Sequence, residues 1–212
     1  MPANPPKRST YRHGDLRNAL LAAGTELARE GGPEAVVLRE ATRRVGVAPN
    51  AAYRHFADRD ALLRAVCSAA QSRLAVVIEE EQDTVVREGD PSAVARALLR
   101  AVGTGYLRFA QTEPELFRTA FAVPSDQESA TSPERAGNTG LTPLQLLSQA
   151  LDGLVEAGVL TAERRPGAEF LAWSAVHGLA TLLVDGPLRG LAPPKTDDLS
   201  GRLLDMIDHG LR

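Results

Sequence analysis

Between Arg39 and Arg59 the chain carries Asn50, Tyr53, Arg54 and His55. Guanidinium, amide, phenol and imidazole groups in one short stretch are suited to phosphate oxygens and base edges. Pro49 and Ala51, interleaved with them, offer only apolar contact of the kind a thymine methyl accepts. A second set, Ser174, His177 and Asp185, has the residue types of a nucleophilic triad. Its spacing argues against that chemistry. On a helix Asp185 lies about 12 Å beyond His177 at 1.5 Å per residue, too far to orient the imidazole through a hydrogen bond. Nor is there a nucleophile elbow, a phosphate-binding glycine loop or an HExxH pair. Two readings of His177 stand: a histidine satisfied in a core or interface, or, with Trp173 at i, i+4, one wall of a ligand pocket.

The polar cluster needs a scaffold, and the stretch LREATRRVGVAPNAAYRHF, residues 38–56, supplies one. A short helical pattern (Leu38, Ala41, Thr42, Val45) stops at Gly46, and a second carries Ala52, Tyr53 and Phe56. That is the grammar of a helix-turn-helix. Gly46 takes the turn because a residue without Cβ enters positive φ freely, Val47 plugs the angle between the helices, and Pro49 suits a first helical turn. The second helix then turns Pro49, Asn50, Ala51, Arg54 and His55 outward, toward a DNA major groove.

Charge agrees with that assignment only locally. The chain has a net charge of −3, yet residues 1–66 hold 11 Lys and Arg against 7 Asp and Glu, giving +4, and residues 67–212 hold 13 against 20, giving −7. Only the first third is drawn to phosphate. The single Cys67 rules out an internal disulfide framework and a Cys-rich zinc site. Neither a cofactor nor a metal is expected. The N-terminus lacks the apolar core of a signal peptide, and no uninterrupted apolar run approaches the roughly 18 residues of a membrane helix. The expectation is a cytoplasmic protein with no membrane contact.

In chain order, residues 1–10 read as a loose basic arm with Lys7 and Arg8, with Arg12 just beyond. A first helix follows Asp15, its N-cap, carries Leu16, Ala19, Leu20, Ala23 and Leu27, and ends at Gly31-Gly32-Pro33. It buries one face against the helix-turn-helix, completing a three-helix unit. After Asp58-Arg59-Asp60 a longer helix with Leu62, Val66, Leu74 and Val77 leaves that unit. Further helical patterns run from Ser92 to near Thr112, over PELFRTAF, from Pro143 to about Gly158, from Ala168 to about Asp185, and over 197–212. The pattern from Ala168 is apolar around most of its circumference, which predicts burial on more than one side. Residues 123–142 read as a mobile loop. No segment alternates with period two, so the chain is all-α.

YRHGDLRNALLAAGTELAREGG and LREATRRVGVAPNAAYRHFADRDALLRAV resemble the DNA-binding domain of TetR/AcrR-type transcriptional regulators over residues 11–66, with Gly46, Val47, Tyr53, Phe56 and Leu62 in register. YLRFAQTEPELFRTAF and AWSAVHGLATLLVDG resemble the C-terminal ligand-binding domain of one branch of that family, a region spanning 67–212. The resemblance implies a homodimer bound to double-stranded DNA at a palindromic operator and released by a small hydrophobic effector. It also implies that Tyr53 and Arg59 hold phosphates, and it aligns Arg39 with a position that reaches a guanine in some relatives. Tyr53 as a half-buried core aromatic and Arg39 as a solvated arginine are the competing readings. Relatives commonly begin the second and third helices with Ser or Thr, where this chain has Val37 and Ala48, each substitution costing about 1 kcal/mol of capping. Thr42 replaces an alanine usual at the helix crossing, and looser packing is expected there.

Tyr106, Phe109, Phe117, Phe121, Trp173 and His177 are the candidate lining of the effector pocket, although packing a core would call on the same residues. The last two helices are assigned to dimerisation. The competing functional class is a helical metabolite-binding or enzymatic domain with an incidental helix-turn-helix.

Overall fold

The computed structural model describes residues 13–124 and 127–211, so the basic arm over residues 1–10 and Arg12 lie outside the described residues. The described chain is all-α, as expected. Helix α1 (His13–Ala35) starts two residues before Asp15, which therefore sits inside the helix and not at its N-cap. Its backbone leaves helical angles at Gly31 and Gly32, where the sequence placed its end. Helix α2 (Leu38–Val45) closes on Gly46, whose φ of 74° lets the Gly46 and Val47 amides bond back to the Arg43 and Thr42 carbonyls. Helix α3 is a single turn, Pro49–Ala52, shorter than the pattern through Phe56 predicts. The His55 and Phe56 amides both close onto the Ala52 carbonyl, and this tightened turn drops Phe56 into the core.

As anticipated, neither Val37 nor Ala48 makes a side-chain cap. The expected looseness at Thr42 is not found: its hydroxyl donates to the Arg39 carbonyl at 2.7 Å and the residue is fully buried. A buried hydroxyl with its partner in place costs little.

Helix α4 (Arg59–Asp83), capped by the Asp58 carboxylate accepting from the Ala61 amide, is shared between the first three helices and the rest. It is the one described helix long and apolar enough to cross a membrane, yet most of its apolar stretch is buried inside the protein. The boundary expected after residue 66 falls inside this helix, nearer its N-terminal end. Helices α5 (Pro91–Thr112) and α6 (Pro114–Ala120) meet at Glu113, which accepts from Arg29 Nε of α1 at 3.3 Å and from Arg73 Nε of α4 at 2.9 Å. With α6 also packed along α1, the N-terminal unit is fixed to the body at several points.

The segment read as a mobile loop holds a short helix α7 (Gln127–Ala130) and a 3-10 turn at Pro133–Arg135. Its second half is fastened to α4: Ser72 Oγ donates to the Ala136 carbonyl, and the buried Glu79 carboxylate accepts from the Asn138 and Thr139 amides and the Thr139 hydroxyl. Helix α8 (Pro143–Glu156) opens with a Thr142–Gln145 capping box. Helix α9 (Ala168–Val184) buries only the row Ala168, Ala172, Val176, Ala180 and Val184. Burial on more than one side is therefore incorrect for the single chain, because α9 lies at the edge of the bundle with Phe170, Leu171 and Leu182 in solvent. Helix α10 (Pro193–Leu211) starts four residues before the predicted 197 and packs on α5 and α9.

Candidate nucleic-acid interface and ligand cavity

The N-terminal unit hides Leu20, Leu27, Leu38, Ala41, Ala52, Phe56 and Leu62 in one core. That packing fixes which side chains face out. Arg39, Pro49, Asn50, Tyr53, Arg54 and Arg59 are exposed, and Ala51 and His55 are half-buried beside them. Tyr53 is 58% exposed, which removes the half-buried core alternative. The surface arginines divide into two groups. Arg43 is spent on Glu40, and Arg44 on Glu30 and Glu40; hydrogen bonds from Arg43 first, then Arg44, bring the Glu40 carboxyl down to about 2. Arg39 and Arg54 make no ion pair among the described residues, so their guanidinium forks face solvent. Arg59 donates one Nη to the Pro33 carbonyl at 2.8 Å, which orients the group, and its other Nη stands 3.8 Å from the Asp60 carboxylate at an exposed position.

The second feature is a cavity of about 200 Å³ between α4, α5, α8, α9 and α10, bordered also by Phe121, Ala130 and Arg135 and open toward solvent at Arg100 and Asp205. Of the aromatic residues picked from the sequence, Tyr106, Phe121 and Trp173 form part of its wall. Phe117 and His177 stand behind them in the same cluster, with Phe117–Phe121 centroids at 5.4 Å and Phe121–His177 at 4.8 Å. Phe109 is completely buried and does not reach the cavity. Sequence reasoning missed Gln71, Arg96, Arg135, Leu204 and Asp208 in the wall. One signal was available: Arg96 and Arg100 lie one helical turn apart, as do Asp205 and Asp208, and the two rows pair across α5 and α10 at 2.9 and 2.5 Å.

Tyr106 organises the polar part of the cluster. Trp173 Nε1 donates to its hydroxyl at 3.3 Å, and the hydroxyl lies 2.7 Å from His177 Nδ1. Because a buried O–H left without an acceptor is costly, Tyr106 donates to His177, whose proton then sits on Nε2. Burial pushes the Tyr106 phenol up and the His177 imidazole down from their usual values. Asp185 takes no part: it pairs with Arg118 at 2.5 Å, and Ser174 faces solvent. The triad constellation is therefore not assembled.

A depressed imidazole in the folded state means that the unfolded chain binds the proton more readily below its ordinary value of about 6.5. Stability should thus be unaffected by this group above that pH and fall as pH drops through it. His177→Gln, which keeps an acceptor for Tyr106, is expected to narrow the difference in melting temperature between pH 7.5 and pH 5.5. An unchanged difference would assign the acid sensitivity to other groups.

Two family profiles match. Residues 20–66 match that described as bacterial regulatory proteins, tetR family, and residues 99–207 match the tetracyclin repressor-like C-terminal domain. No curated protein matches the chain. Among solved structures, a protein of unknown function from Rhodococcus sp. RHA1 superposes with a TM-score of 0.72 at 26% identity, covering 96% of this chain and 99% of that one. A TetR-family transcriptional regulator from Pectobacterium atrosepticum gives 0.63 at 20% identity over 97% and 96%. The fatty acid degradation regulator from Bacillus halodurans gives 0.55 at 17% over 92% and 99%. With a helix-turn-helix whose Arg39, Asn50, Tyr53 and Arg54 are exposed and family matches over residues 20–66 and 99–207, the chain belongs to the TetR family of transcriptional regulators.

Proposed function

We propose that the protein is a homodimeric, ligand-responsive repressor that binds a palindromic operator through residues 11–66 and leaves it when a small hydrophobic molecule enters the domain over 67–212. The observation that carries this reading is that Arg39 and Arg54, beside Asn50 and Tyr53, are exposed and make no ion pair among the described residues, on an N-terminal third of opposite charge to the rest. Tyr53 and Arg59 clamp phosphates and set the register, while Arg39, Asn50, Arg54 and His55 reach toward base edges with Pro49 and Ala51. Phe170, Leu171 and Leu182 on α9 and Met206 on α10 are exposed in one chain, with Leu171 69% so. A second copy covers them, placing two heads one helical turn of DNA apart, roughly 34 Å. Induction works by differential affinity: ligand in the cavity favours a head spacing that no longer matches successive grooves.

The test is anisotropy with palindromes from the DNA flanking the gene, titrated across salt. Affinity should fall steeply with salt, and Tyr53→Phe with Arg59→Ala should weaken binding to every sequence. Losing one cation per subunit should flatten the log–log salt slope by about 2 for the dimer. Arg39→Ala should weaken binding at particular base pairs only. Salt-independent binding, or uniform behaviour of both variants, would refute this division of roles.

A further inference from the structure

We infer that the cavity takes an uncharged, hydrogen-bond-poor molecule of about one substituted aromatic or alicyclic ring, and rejects carboxylates and amines of the same shape. The inference rests on the proposed role of this cavity as the effector site and narrows what that effector is. Size sets the first limit. An apolar cavity of about 150 Å³ holds one benzene, so 200 Å³ leaves room for a ring and a short substituent.

The wall sets the second limit. Leu74, Ile78, Leu147 and Val176 supply aliphatic surface, and Trp173 an aromatic one. The polar groups that reach this wall are already engaged within the protein. Gln71 bridges the Ala120 carbonyl and Arg135, at 2.8 and 3.3 Å. Arg96 holds both oxygens of Asp208 at 2.9 Å, and the Tyr106 hydroxyl stands between Trp173 and His177. Among the described residues the one buried side-chain polar atom lacking a partner is Ser200 Oγ, which is not part of the wall. A ligand carboxylate or ammonium must therefore break one of these pairs or enter unpaired, whereas a hydrocarbon ring gives up nothing. The charges at the α5–α10 end come as matched pairs, so neither sign of ligand is attracted there, and the further wall cation, Arg135, is held against the Gln71 amide at 3.3 Å.

Trp173 is the only tryptophan in the chain, which makes its emission a report from the wall. Full-length protein is titrated with ethylbenzene and with phenylacetate while Trp173 emission and the melting temperature are followed. Ethylbenzene should give a saturable response, with phenylacetate weaker by about 100-fold or more. Ala172→Leu and Ala97→Phe, which fill the cavity from different helices, should each abolish the response while keeping a cooperative melting transition. Equal affinity for phenylacetate, or an intact ethylbenzene response in both filled variants, overturns the inference. Operator release is measured in parallel. If ethylbenzene binds as described and operator affinity is unchanged, the inference holds and the effector role fails; if only a charged compound binds the cavity and releases operator, the effector role holds and this inference fails.

Discussion

Gly105→Val should destabilise the folded protein by at least about 3 kcal/mol, at the upper end of what overpacking costs. A Cβ at this position would lie 2.7 Å from Ile78 Cα, 3.0 Å from the Val77 carbonyl oxygen and 3.1 Å from the Ile78 amide nitrogen. These are backbone atoms of α4, so no rotamer change relieves the clash and α4 and α5 must move apart. That crossing carries Ile78 and Tyr106 into the cavity wall, and the separation spreads to it. Gly153→Ala is the matched control: nothing lies within 4 Å of its added Cβ, and the gain in helix propensity of about 1 kcal/mol should appear undiminished. Denaturant midpoints of the two variants check both signs, and a stable Gly105→Val protein would show that α4 and α5 are not closely packed.

Glu79→Ala should cost about 3 kcal/mol, or roughly 6–12 °C in melting temperature for a chain of this length. Glu79 is 5% exposed and is the acceptor for three donors in the 138–139 turn, at 2.8, 3.0 and 2.6 Å. Removing it leaves those donors with no acceptor until the turn lifts off and meets water. Glu79→Gln keeps one oxygen and should lose about half as much. Hydrogen exchange at the Asn138 and Thr139 amides should accelerate in both variants, and protected amides in Glu79→Ala would contradict the assigned role.

The helix-turn-helix was legible because its determinants are local. Gly46, Pro49 and the apolar spacing of α2 act within a few residues of themselves, and the resemblance to a known domain added the registration of Tyr53 and Arg59. The break at Gly31-Gly32-Pro33 was readable for the same reason. What escaped was set by partners far along the chain. Glu79 and Thr139 are 60 positions apart, and nothing in residues 123–142 announces the carboxylate that fastens their second half. The pattern through Phe56 overstates the length of α3 because burial of Phe56 ends the helix at Ala52, a tertiary demand that periodicity does not record. The cavity wall was half legible: aromatic residues stand out by type, whereas Gln71 and the Arg96–Asp208 pair acquire their meaning only when α10 is laid across α5. Thr42 fits the crossing because its hydroxyl donates to a carbonyl one turn back, which the added volume of the side chain does not reveal.

Helix α4 runs without interruption from Arg59 to Asp83, and Val66 and Cys67, where the two functional regions were divided, are both buried in its interior. There is accordingly no seam in the molecule. A cut within α4 would divide a helix that the N-terminal helices and the body share, so unfolding that begins on either side is expected to reach the other.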